Sequence, residues 1–224
     1  MTDHWRPPPR GFDRLSSHYR TLELLAFGRD LERARFCFLD QLHHARQILI
    51  LGEGDGRCLE RVIQTAPTAR IRCVDASAGM LARAERRVRA VATTENVQFE
   101  HANVRDIRLS DHAYDAVLTF FFLDCFRAED VTRLVDRVQR SLRPGGLWLF
   151  ADFAMPAGPW RRVRARLWLA CLYQFFRWQT GIDAEILPPS EHILANAGVQ
   201  RLAVQSLQGG FIRSVLLRKI RSRR

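Results

Sequence analysis

Ile48-Leu49-Ile50-Leu51 runs straight into Gly52-Glu53-Gly54-Asp55-Gly56, and a periodic segment begins at Arg57-Cys58-Leu59-Glu60-Arg61-Val62-Ile63. An unbroken apolar run of strand length suits a strand buried on both faces. Glycine next to it serves two needs. It permits positive φ in a tight turn, and it lets the backbone approach a ligand with no Cβ in the way. Strand, glycine turn and helix together have the layout of a nucleotide-type binding loop. An ordinary tight strand-to-helix turn would read the same over these residues alone, so the rest of the chain has to decide.

The spacing narrows the choice. A dinucleotide fingerprint needs glycine at the first, third and sixth positions. Here Arg57 holds the sixth, and the third glycine comes one residue early. A phosphate loop of the Gly-Lys-Ser/Thr kind is absent. A second signal is Asp75, which closes the apolar segment Arg70-Ile71-Arg72-Cys73-Val74 about 20 residues beyond the glycines. A carboxylate there offers acceptors only and can take both hydroxyls of a ribose. The alternative is a helix N-terminal carboxylate favoured by the helix dipole.

Further along, strands alternate with helices. Strands are expected at 47–51, 70–74, 97–101, 115–120 and 147–151. A helix over Ala78–Ala92 has Ser77 as its N-cap, and another spans about 128–142. Arg143-Pro144-Gly145-Gly146 reads as a helix stop and turn. That alternation implies an α/β fold with a doubly wound, mostly parallel sheet. After the fifth strand the rhythm breaks. Residues 160–178 read as one long helix, and 189–197 as a shorter one ending at Gly198. The runs Val199–Leu207 and Phe211–Lys219 are linked through Gly209-Gly210 and so pair as an antiparallel hairpin, giving seven strands. Before the first strand, residues 1–11 read as a loose Pro- and Arg-rich arm and 12–45 as a helical cap. With no internal repeat and no boundary, 1–224 is expected to be one domain.

Composition excludes several classes. Hydrophobic content of 47% over 224 residues suits a globular core. No apolar run reaches the roughly 20 residues of a membrane span. The start has no signal-peptide core, so a cytoplasmic location is expected. Five scattered cysteines with no Cys-x-x-Cys pair indicate neither a disulfide framework nor a metal site. Net charge is +11, and Lys219 is the only lysine among 35 cations. Such a balance suits nucleic acid, acidic lipid or an anionic substrate. A coding bias towards arginine would give the same composition.

Taken in order, these segments resemble the motifs of class I S-adenosylmethionine-dependent methyltransferases, and the likeness covers most of the chain. Gly52-x-Gly54-x-Gly56 is similar to the family's first motif, and Val74-Asp75-Ala76-Ser77-Ala78-Gly79-Met80-Leu81 to its second. His101-Ala102-Asn103-Val104 stands where the family often has Gly-Asp-Ala. Tyr114-Asp115-Ala116-Val117-Leu118-Thr119-Phe120 matches the fourth-strand motif, and Leu142-Arg143-Pro144-Gly145-Gly146 the turn before the fifth strand. The resemblance implies S-adenosylmethionine as cofactor, with S-adenosylhomocysteine as product. It assigns Gly52, Glu53, Gly54 and Gly56 to the binding loop, Asp75 and Ala76 to the ribose, Met80, Asn103 and Val104 to adenine, and Thr119 and Phe120 to the methionine side. Two positions depart from the pattern. Asn103 replaces an aspartate, and its amide still accepts from the adenine amino group. Ile50 replaces an acidic residue that helps hold the methionine amino group, and Glu53 or Asp55 can substitute through water. Phe12-Asp13 with Tyr19 and Arg20 resembles the entry helix of quinone-type methyltransferases, in which a tyrosine closes over the cofactor.

Methyl transfer from a sulfonium is an in-line displacement, so positioning and exclusion of water dominate. A base is needed only if the nucleophile must lose a proton. Asp124, just past the fourth strand, is the best-placed candidate, ahead of His18, His112 and His192. In this family the insertion at 153–190 forms a helical lid over the substrate. Here it starts basic, Trp160-Arg161-Arg162-Val163-Arg164-Ala165-Arg166, and becomes apolar and aromatic through Trp178. It would line an apolar pocket, lie on a membrane surface, or pack on the core with a solvated basic end. The favoured reading is methylation of a small, partly apolar acceptor on oxygen or carbon. The rivals are an RNA methyltransferase, using the basic ends, and a non-catalytic S-adenosylmethionine-binding partner protein. A dehydrogenase is disfavoured by Arg57.

Overall fold

The computed structural model describes residues 28–91, 94–180 and 187–221, with residues 171–180 as backbone only. The expected arm, the helices before residue 28 and Tyr19 lie outside the described residues. So do His18 and the side chain of Trp178.

The elements are α1 (Asp30–Phe36), a 3-10 turn (Leu39–Leu42), β1 (Gln47–Leu51), α2 (Arg57–Thr65), β2 (Arg70–Asp75) and α3 (Ala78–Arg89). They continue with β3 (Val97–His101), β4 (Tyr114–Phe120), a 3-10 turn (Leu123–Cys125), α4 (Ala128–Ser141) and β5 (Leu142–Phe153). The last are α5 (Pro159–Thr180), α6 (Ser190–Ala195), β6 (Val199–Leu207) and β7 (Ile212–Lys219). The seven strands lie in the order β3-β2-β1-β4-β5-β7-β6. The first five are parallel, and β7 runs antiparallel to both β5 and β6. The expected sheet with its terminal antiparallel hairpin is therefore the one observed.

The unbroken apolar runs are explained by helices on both faces. Ile48 and Ile50 of β1 face one core, with Leu59, Val62, Ala116 and Leu118. Leu49 and Leu51 face the other, with Val117, Leu134, Val135 and Trp148. Period-2 alternation is thus present, but both sets are buried, as a parallel sheet requires.

Ends of elements differ from the expectations where tertiary contacts decide. Ser77 caps α3 as expected, its Oγ accepting from Met80 N at 3.2 Å, but the helix stops at Arg89 rather than at Ala92. Arg143–Gly146 is not a free turn. It forms the start of β5, where the pairing with β4 shifts register between Tyr114 and Ala116. Pro144 has no N–H to give to a ladder, and Gly145 takes φ +82°, so the segment stays in the sheet as a bulge. Asp115 fixes that end: its Oδ2 accepts from Arg46 N and Gln47 N, and its Oδ1 from Arg143 Nη1 at 2.5 Å. At the hairpin, Gln208, Gly209 and Gly210 all take positive φ, which turns the chain between β6 and β7.

Candidate functional site

β1 sits between β2 on one side and β4 on the other, so the crossovers leave it in opposite directions. A crevice opens at the carboxyl ends of strands where this happens. Gly52 N donates to Val74 O at 2.9 Å, Gly54 N donates to Asp75 Oδ2 at 3.0 Å, and Ser77 N donates to Asp75 Oδ1 at 2.9 Å. Ala102 N donates to the Asp75 carbonyl at 3.1 Å. One residue thereby ties together the glycine loop, the start of α3 and the end of β3. Each Asp75 oxygen has taken one donor and keeps an acceptor site. Burial pushes this carboxyl above the usual range, and the N–H groups of Ser77 and Gly54 hold it back.

The three glycines do different things. A Cβ at Gly56 would stand 2.5 Å from Ala84 Cα, so this glycine lets α2 begin against α3. A Cβ at Gly52 would stand 2.3 Å from Cδ2 of Phe122, whose ring covers the first turn of the loop. At Gly54, with φ +72°, a Cβ would meet nothing within 4 Å among the described residues.

Glu53 and Asp55 also separate. Asp55 is engaged by Arg57 at 3.0 Å and by Arg87 at 3.7 Å. Glu53 turns inward. Its Oε1 accepts from Leu59 N at 2.8 Å, while Oε2 is buried with no hydrogen-bond partner among the described residues. Burial pushes its pKa up to about 8, against the opposing Leu59 N–H. Ile50 lies in the core, paired with Cys73 and Leu118.

The other expected residues gather at the same rim with varied commitments. Ala76 is exposed and Met80 buried. Asn103 Oδ1 accepts from Arg105 N at 3.0 Å, closing a local turn. Val104 is buried, and its carbonyl accepts from Arg137 Nη1 at 3.0 Å. Thr119 is fully buried, with its hydroxyl accepting from Trp148 Nε1 at 2.9 Å, so that side chain is already committed. Phe120 is buried.

Beyond Phe120 stand residues that sequence reasoning passed over. Phe121 holds φ +51° and donates its N–H to Ala151 O at 2.7 Å. A bulky residue in that region is strained and is held there by its surroundings. Its ring lies 5.3 Å from Phe153, with the Arg35 guanidinium 5.0 Å away. Asp124, the expected base just past the fourth strand, lies in the 3-10 turn. It is buried beside Asp152 of β5, whose Oδ2 accepts from Asp124 N at 3.1 Å. Burial raises both carboxyls above the usual range, and the nearby Asp124 raises Asp152 further. Two adjoining buried carboxyls disfavour ionising together. The expected fifth strand ended at Ala151, which left Asp152 unread. Of the histidines, His112 precedes β4, at the opposite end of the sheet, with Nδ1 against Leu142 O at 3.2 Å. His192 is exposed on α6. Neither joins the rim.

Residues 48–146 match the methyltransferase domain family. They span β1 to the bulge of β5, and so contain the glycine loop, Asp75, Asn103 and Asp124. Over this stretch the chain is similar to methyltransferase domains. The chain is 32% identical over 150 residues to a demethylmenaquinone methyltransferase from Clavibacter sepedonicus, covering 66% of this chain and 58% of that protein. It thus spans less than two thirds of the length of the curated relatives it matches. Among solved structures, an O-methyltransferase family protein from Burkholderia thailandensis superposes with TM-score 0.69 at 17% identity, over 94% of this chain and 61% of that one. Human N-acetylserotonin methyltransferase, in complex with S-adenosylmethionine, gives 0.61 at 17% over 93% and 56%. S-adenosylmethionine is the cofactor of a methyltransferase domain of this class. Among the described residues no helix is long and apolar enough to cross a membrane.

Proposed function

We propose that the protein transfers a methyl group from S-adenosylmethionine to a small, partly apolar acceptor, at oxygen or carbon. The single observation that carries this reading is the glycine loop locked onto Asp75 with its backbone open at Gly54 among the described residues. The residues suit the cofactor in three ways. Asp75 keeps acceptor sites for the two ribose hydroxyls. The open face of Gly54 admits a ligand where a side chain would stand. Oε2 of Glu53, without a hydrogen-bond partner among the described residues, offers a buried carboxyl whose ionised form would receive a cation, in place of the acidic residue that Ile50 displaces. Gly52, Gly56 and Ala76 shape the loop around these groups. Met80, Asn103 and Val104 form the adenine side, with the backbone of 103–104 as reader because the Asn103 amide is engaged with Arg105. Thr119 and Phe120 bound the methionine side through backbone and ring.

The bound cofactor supplies an electrophilic methyl group on a positively charged sulfur. The protein's own part is positioning, water exclusion and proton removal. Phe121, Phe122 and Phe153 wall the rim with apolar rings. Asp124 is the base we assign, and Asp152, which touches it, is a positioning residue. In the half-ionised pair Asp152 holds its proton while Asp124 accepts one from the acceptor hydroxyl or acidic carbon. We read 1–224 as one domain in which 153–190 is the lid over the acceptor.

Thermal unfolding with S-adenosylmethionine, S-adenosylhomocysteine or NADH tests the reading. A ligand that binds the native state alone raises its stability by mass action. Both adenosyl ligands are expected to raise Tm, and NADH is not. Asp75→Ala and Gly54→Ala are expected to abolish the rise, with Gly54→Ala costing only about 1 kcal/mol of stability itself. A rise with NADH, or none with the adenosyl ligands, overturns it.

A further inference from the structure

We propose that the outward face of α5 seats the protein on an anionic lipid bilayer. α5 meets the core through Ala165 and Leu169, which are 3% and 4% exposed. Trp160, Val163 and Leu167 recur at three- and four-residue spacing, so they form one stripe. That stripe points away from the core, with the three side chains 86%, 50% and 64% exposed. A surface helix of a globular protein normally shows its polar face there. Here the apolar stripe is flanked by exposed Arg164 and Arg166, while Arg162 turns to the body and donates to Pro156 O at 3.2 Å, and no Asp or Glu occurs anywhere in Pro159–Thr180.

An apolar stripe with a bulky indole, edged by cations and free of acids, is the pattern of a helix lying in a membrane interface. The rings enter the boundary between headgroups and chains, and the guanidinium groups stay at the phosphates. Tryptophan is favoured at that depth. Charge decides among occupants. A second copy of α5 would bring Arg164 and Arg166 against the same two arginines, with no acid in either helix to separate them. Nucleic acid would satisfy the arginines but leave Trp160 and Leu167 in water. A layer that is anionic at its surface and apolar just beneath satisfies both. α5 follows directly on β5, whose last residues, Asp152 and Phe153, border the candidate site. Seating α5 on lipid therefore brings that rim close to any acceptor dissolved in the bilayer. The docking itself does not require methyl transfer.

Flotation with vesicles tests this, using phosphatidylglycerol mixed with phosphatidylcholine against phosphatidylcholine alone, at low and high salt. The protein is expected to float with the anionic vesicles and not with the neutral ones. Trp160→Ser with Leu167→Ser is expected to weaken that binding about tenfold, because the buried apolar area is lost. Arg164→Gln with Arg166→Gln is expected to weaken it about fivefold per arginine and to flatten the salt dependence. Each variant should keep the wild-type Tm and its rise with S-adenosylmethionine, which shows that it is folded. The proposal is overturned if anionic vesicles do not bind, or if the Trp160/Leu167 variant floats as wild type. It is also overturned if sedimentation shows a lipid-free dimer that this variant loses, or RNA binding that only the arginine variant loses and no lipid binding. Vesicle binding without any response to S-adenosylmethionine would sink the proposed function and leave the docking standing.

Discussion

The glycine loop and helix α5 border the same end of one sheet, yet they are held in contrasting ways. The loop is fixed from several directions at once: Asp75 takes its Gly54 N–H, Glu53 folds under it onto Leu59 N, Gly56 lies against Ala84, and Arg57 pairs with Glu32 at 2.9 Å. The described half of α5 rests on the core through Ala165 and Leu169 and turns its largest side chains outward. The difference teaches a division of labour in the reading proposed above. The loop proposed to meet the cofactor is built to one geometry before a ligand arrives, whereas the helix proposed to border the acceptor is attached, in its described half, through a short apolar footing.

The contrast can be broken by mutation. Gly56→Ala is expected to have the largest effect. Its Cβ would press on Ala84 backbone at 2.5 Å, and φ is +89°, so overpacking and left-handed strain add to about 3 kcal/mol or more in urea unfolding. A variant as stable as wild type would show that the loop is not locked. Glu53→Gln comes next. Its folded-state pKa is raised, so the fold favours the neutral acid. The stability from this group is complete below about pH 4.5 and is lost as pH rises through about 8. The Tm advantage of Glu53→Gln should therefore be near zero in acid, grow through neutral pH and level off above about pH 8. S-adenosylmethionine, a cation, should bind the ionised carboxylate better, so affinity should climb over the same range in wild type and stay flat in the variant. A pH-independent Tm difference would place Glu53 outside this role. Leu169→Ala is the smallest, at about 2 kcal/mol. Equal losses for Leu167→Ala would mean that the outward stripe of α5 is covered after all.

How far the sequence disclosed this arrangement depends on the range of the deciding interaction. The glycine loop, Asp75 and the Ser77 cap were legible because the residues that set their geometry lie within a few positions of one another. The strand count and the terminal hairpin followed from period and turn chemistry. The bulge at Arg143–Gly146 was hidden, since a Pro-Gly-Gly run looks the same as a turn or as an irregular strand, and only Asp115 across the sheet decides. Asp152 was hidden for a similar reason. Its meaning comes from Asp124, 28 residues earlier, and from a strand longer than its apolar run. Thr119 looked free to line a ligand until Trp148 reached it from the neighbouring strand. Asp55 and Glu53 were interchangeable in sequence. Arg57 and Arg87 drew one outward, while Leu59 N drew the other in.

The footing of α5 bears on how such a protein can change. Among the described residues α5 touches the body through a narrow patch, and it enters after the last parallel strand, so exchanging it should leave the register of the sheet undisturbed. Under the proposed function, acceptor choice would then become a property of a cassette. A chimera carrying a foreign 154–189 segment, with Ala165 and Leu169 matched in size, would inherit the cofactor grip intact and take its clientele from the donor.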